Sequence, residues 1–188
     1  KVIKTFQVGF FLSLGLLFTG QLIVRPHLIL LLVFANDFVS MALATDTVSY
    51  SAKPDRWQLR PLIVSALTMA AGWMAFSFAA LYWAHSVLHL PLTELQTFIF
   101  VLLVFTGQVN IYLVRERHHF WRSRPSKWLA ASSVADVVVI SGMAIAGIWM
   151  APLTVWLLIV LALGSLSFGF LLDFLKVFIF RRQGILAV

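Results

Sequence analysis

The chain has 188 residues, 61% of them hydrophobic and 11% charged, with a mean hydropathy of +0.96. Soluble globular domains carry about 25% charged residues, so this composition excludes that class. Cysteine is absent, which removes disulfide frameworks and thiolate metal sites. The net charge of +7 could suit a nucleic-acid binder. Its lysines and arginines, however, fall between apolar runs, where membrane proteins keep their cytoplasmic loops. The expected partner is the lipid bilayer, not nucleic acid.

Apolar stretches long enough to cross a bilayer recur from end to end. They predict an all-α fold, a polytopic bundle of six transmembrane helices forming a single domain over 1–188. The first span covers about 2–24 and ends at Arg25 and Pro26, because proline lacks a backbone donor and restricts the residue before it. The second covers about 28–45 and is followed by a polar loop from Asp46 to Trp57. The third is about 60–85, the fourth, after a loop containing Pro91, about 94–114. The most basic loop, Arg115 to Lys127, leads to the fifth at about 128–150. A turn at Ala151-Pro152 opens the sixth at about 153–180, which ends at Arg181-Arg182.

On this layout every lysine and arginine except Arg25 lies on one side of the membrane. The positive-inside rule then puts both termini in the cytoplasm. Trp57, Trp83, Trp121, Trp128 and Trp149 fall near span ends, where interfacial aromatics collect. No cleavable signal segment precedes the first span. The chain starts at Lys1 rather than Met, which suggests a piece of a longer polypeptide or a separately made subunit.

Asp37 is the most informative residue. It sits in the apolar run 28–45 beside Asn36, with Ser40 three residues on. An ionisable group in a membrane span is by default a hypothesis about an ion or proton path. Taking up and releasing H+ as its surroundings change is what a proton carrier must do. The competing reading is a hydrogen-bonded acid that only holds helices together.

The other buried polar residues read mainly as structure. Asp136 has Ser132 and Ser133 one turn away, close enough to hydrogen-bond it. Asp173 and Lys176, three apart, can form an ion pair on one helix face, with Lys176 near enough to the cytoplasmic end to extend toward it. Gln21, Gln108 and Asn110 read as interhelical glue, although Gln108, Asp136, Asp173 and Lys176 are also candidates to support an ion site. His85 and His89 are four apart, but no further ligand accompanies them, so no metal site is expected. His118 and His119 belong to the basic loop, near solvent or lipid head groups. No phosphate-binding glycine-rich loop and no catalytic triad occurs, so no catalytic residue is expected in this chain.

The segment Asn36-Asp37, Asp46-Thr-Val48 and Pro54-Asp-Arg-Trp57-Gln-Leu59 resembles the sixth membrane helix and following loop of P-type ATPases, in particular the plasma-membrane proton-pumping branch. The ending Asp173-Phe-Leu-Lys176 is similar to that family's last helix. Six spans with cytoplasmic ends fit its membrane helices five to ten. The resemblance implies that Asp37 is the proton-binding carboxylate and Asn36 its neighbour. It also implies that the phosphorylation motifs, and the ATP and Mg2+ they use, belong to cytoplasmic domains outside these residues. This chain itself would bind no cofactor, and its partners would be the rest of the pump or a second copy.

One departure stands out. Pumps of this branch carry an arginine in the fifth helix facing the proton site, whereas the first span here offers only Lys4 and Gln7, and neither aligns with it. Either another counter-charge then serves proton release or the transported ion differs, magnesium being one candidate; a membrane subunit or scaffold that transports nothing by itself is a separate alternative.

Overall fold

In a computed structural model, which describes residues 2–46, 59–116 and 118–182, the chain folds into six helices. They are α1 (Val2–Thr19), α2 (Pro26–Ala42), α3 (Leu59–Tyr82), α4 (Leu92–Arg115), α5 (Lys127–Ala146) and α6 (Val155–Arg182). A 3-10 turn at Leu43–Thr45 extends α2, and a π turn at Trp83–Val87 extends α3. By length and apolar content four helices, α3 to α6, can cross a membrane. At 18 and 17 residues, α1 and α2 lie near the short end of the spanning range of about 17–25. The chain is thus a helical membrane bundle. The Pro54–Trp57 part of the family-like segment lies outside the described residues.

The helix ends follow local chemistry. α2 starts at Pro26, whose missing N–H costs nothing in the first turn. Ser126 caps α5, its hydroxyl accepting from the Leu129 N–H at 3.1 Å. α1 stops five residues before the expected boundary. Gly20 turns left-handed (φ +67°), and its N–H closes on the Leu16 carbonyl at 2.8 Å. The apolar residues after it, Ile23 and Val24, are buried as a plug rather than as helix. Gly147 (φ +69°) ends α5 in the same way, four residues short of the expected 150.

α4 is the central post and touches each of the other five helices. Every residue from Leu95 to Gln108 is buried. Around it the other helices bury a single stripe, for example Leu28, Leu32, Ala35 and Val39 on α2. Their outer faces remain apolar, with Phe18, Leu30, Leu163 and Leu171 exposed as a lipid-facing surface requires.

Close approach depends on small residues. A Cβ added at Gly169 of α6 would run into the Val109 side chain of α4, and one at Gly72 would meet Leu172. Gly142 has open space around its Cβ position. Gly169→Ala should therefore cost about 1–3 kcal/mol, whereas Gly142→Ala should cost nothing. Unfolding of the micelle-embedded protein by denaturant, followed by circular dichroism, measures both.

Candidate functional site

A belt of polar side chains crosses the apolar interior, and α4 organises it. Lys4, in the first turn of α1, points its amine inward. Its Nζ donates to the Leu103 carbonyl at 3.0 Å and to Asn36 Oδ1 of α2. Gly107 makes the room: a Cβ there would occupy the space of Lys4 Nζ and crowd Asn36 Oδ1. Asn36 is held in turn by its own amide, which donates to the Leu32 carbonyl at 2.6 Å.

One turn along α1, Gln7 donates to Ser77 of α3 at 3.2 Å and to Thr106 of α4 at 3.3 Å. Trp73 Nε1 donates to Asn110 Oδ1 at 3.2 Å. On the other flank of α4, the Gln108 amide donates to Asp136 of α5, which lies within electrostatic range of Lys4. This belt therefore brings together the Lys4 amine, bonded to the Asn36 amide, and the Asp136 carboxyl, bonded to the Gln108 amide. The oxygens Gln7 Oε1, Gln108 Oε1, Ser133 Oγ and Ser165 Oγ are buried without a hydrogen-bond partner among the described residues.

Several sequence expectations change here. Asp37 was expected between packed helices, but it lies on the exposed side of α2 with Phe34, Phe38 and Met41. The reason is angular. The buried stripe of α2 runs through 28, 32, 35 and 39, and Asp37 stands on the opposite side of that helix. Asn36 faces the interior flank instead, and Ser40 is half-buried. Asp136 is bonded by Gln108, not by its own-helix serines: Ser132 donates to the Leu129 carbonyl at 3.0 Å, and Ser133 Oγ has no hydrogen-bond partner among the described residues. Lys4, counted among the cytoplasmic-side charges at the start of the first span, is a cation of the interior. Its signal was present: Lys4 and Gln7 are three apart in an otherwise apolar helix, hence on one face. Gly107 gave no signal, because only a neighbour from another helix shows what its missing side chain makes room for.

A second polar group closes the end of the bundle that carries the basic loop. Asp173 Oδ1 meets Lys176 Nζ at 2.7 Å, and Asp173 Oδ2 lies 2.6 Å from His119 Nδ1. Lys176 does not reach outward as expected. It is 1% exposed and donates to the carbonyls of Leu113 and Glu116 at the end of α4, at 2.9 and 3.1 Å. Arg115 pairs with Asp46 at 2.9 Å, and Asp46 also accepts the Ser126 N–H at 2.7 Å. These contacts tie the 3-10 end of α2 and the α4–α5 loop to the bundle. His85 and His89 are exposed, and no group of three metal-ligating side chains occurs among the described residues.

The geometry defines a class: a helical membrane bundle with a charged, hydrogen-bonded interior. No protein-family model matches the chain. It is similar to a protein of Methanocaldococcus jannaschii that is named, by inference, a cation-transporting ATPase. The two are 30% identical over 154 residues, which is 81% of this chain and 19% of that protein. The chain thus spans about a fifth of the length of the relative it matches, 19%. This similarity supports a P-type ATPase membrane region. It reaches that coarser level and does not single out the proton-pumping branch.

Proposed function

We propose that the chain is part of the cation-translocating membrane region of a P-type pump in the cell membrane, with both termini cytoplasmic and the proton as its ion. The observation that carries this reading is the Lys4 amine, brought through the gap at Gly107 onto Asn36, the chain neighbour of Asp37, which itself stands on the outer side of α2. Asp136 is the acid within electrostatic reach of that amine in this arrangement, so a movement of α2 is what would bring Asp37 toward it. When α1 and α2 shift against α4, that charge approaches or leaves the acid, and uptake and release become coupled to shape. The residue pattern and the similarity together favour a longer pump, whose other membrane helices would pack on the Asp37 face of α2. A carboxylate facing hydrocarbon is costly, which is the physical reason to expect such a cover. The Lys4 amine and the Asp136 carboxyl of the belt suit a proton better than magnesium, which requires oxygen ligands in octahedral array.

A second reading makes Asp136 the carrier. It is favoured by burial, 8% exposed, and by the Gln108 bond. One experiment separates the two: reconstitute the complete polypeptide in vesicles and measure ATP-driven acidification for Asp37→Asn and Asp136→Asn. Loss of about tenfold or more in Asp37→Asn alone supports the first reading, and loss in Asp136→Asn alone supports the second. Normal acidification in both variants would exclude each acid as the carrier.

A further inference from the structure

An apolar groove of about 310 Å3 runs between α4, α5 and α6. Its walls include Val109, Val134, Val138, Leu166 and Phe170. Val134, Val138, Leu166 and Phe170 are 63%, 62%, 49% and 45% exposed, so the groove opens sideways toward the bilayer. Tyr112, Gln108, Ser133 and Ser165 also line it, but Gln108 Oε1 and the two serine oxygens are buried and offer it almost no accessible surface, while the Gln108 amide nitrogen is engaged by Asp136. Water has almost nothing to bond in such a space, and apolar cavities of this kind stay dry. A hydrocarbon chain fits it.

What lies at the end of the groove identifies the rest of the occupant. Phe120 lines the groove and packs on Phe170, ring centroids 4.9 Å apart. Trp121 follows and packs on the same ring at 5.8 Å. Next along the loop come Arg122 and Arg124, and then Lys127 at the start of α5, all three exposed. Lys127 and Val134 are seven residues apart, two helical turns, so they share a face. Lys127 therefore stands about 10 Å above the groove's mouth along α5. Trp128, 74% exposed, lies at the same level, the depth at which tryptophan marks a membrane interface.

We propose that this corner binds one anionic phospholipid of the surrounding bilayer. Its head group lies against Arg122, Arg124 and Lys127, and one acyl chain fills the groove between α4, α5 and α6. Arg122, Arg124 and Lys127 supply charge complementarity for the phosphate and its anionic substituent, the neighbouring Asp46 carboxylate being paired with Arg115 at 2.9 Å. The apolar walls supply affinity for the tail. The groove meets the polar belt at Gln108, but its head-group end lies on the α4–α5 loop and its test does not depend on transport.

Native mass spectrometry of the whole protein reads the outcome directly. The protein is released from micelles holding equal amounts of phosphatidylglycerol and phosphatidylcholine with identical chains. The wild type should retain one phosphatidylglycerol, with a preference of about tenfold or more. Substituting all three cations by glutamine should bring that ratio close to one, while Arg122→Lys with Arg124→Lys should preserve it. Val138→Trp or Leu166→Trp, both at exposed positions, should fill the groove and reduce retention of either lipid. Equal retention of the two lipids by the wild type overturns the proposal. So does a preference that survives the triple glutamine variant, or retention unchanged by both tryptophan variants, which would leave head-group adsorption only.

Discussion

In the complete pump proposed above, Lys4→Met is expected to reduce cation transport by about tenfold to a hundredfold, the range of a coupling free energy of 1–3 kcal/mol. The substitution keeps an unbranched apolar stem in α1 but removes the charge from Asn36 and the Leu103 carbonyl. Gly107→Ala should give nearly the same loss by another route. Its Cβ would occupy the place of Lys4 Nζ, the far end of a flexible side chain, so the amine moves out while α4 remains helical. Agreement between the two variants assigns the effect to the position of the charge. ATP-driven acidification of vesicles, with the amount of folded protein checked by size-exclusion chromatography, measures it. Normal transport in Gly107→Ala would show that the Lys4–Asn36 contact is structural.

Lys176→Met should be the most destabilising of these single substitutions, by about 3–5 kcal/mol. Asp173 is 0% exposed, and the amine neutralises it at 2.7 Å. Without Lys176, its remaining partners among the described residues are His119 and the Phe120 N–H, at 2.6 and 3.3 Å. The Leu113 and Glu116 carbonyls at the end of α4 also lose a donor. Asp173→Asn combined with Lys176→Met removes both charges together and should recover most of the loss, because desolvation of two ions offsets much of their attraction. Denaturant midpoints in mixed micelles compare the single and double variants. A small effect of Lys176→Met would mean that water reaches Asp173 in the bilayer.

Much of the fold was legible because hydropathy and chain punctuation are local properties. Pro26 and the α5 start at Lys127 fell at or next to the expected boundaries. The two overruns, at 20–24 and 147–150, share one cause. Left-handed glycines end the helices while the residues beyond remain apolar, and hydropathy responds to side chains rather than to φ. The candidate site was legible as composition but not as geometry. Asn36, Gln108 and Asp136 were visible as polar residues inside apolar spans, yet the bonds joining Lys4 to Asn36 and Gln108 to Asp136 connect residues 32 and 28 positions apart.

From the residue order alone came the membrane class, the helical character and the approximate places where the chain turns back, since each depends on neighbours within a few residues. Packing around α4 decided which side of each helix meets protein. That choice turned Lys4 and Asn36 inward and Asp37 outward, although all three lie in apolar surroundings along the chain. Hydropathy averages over the whole circumference of a helix. Burial is set by direction around the axis, and only contacts between distant segments choose that direction.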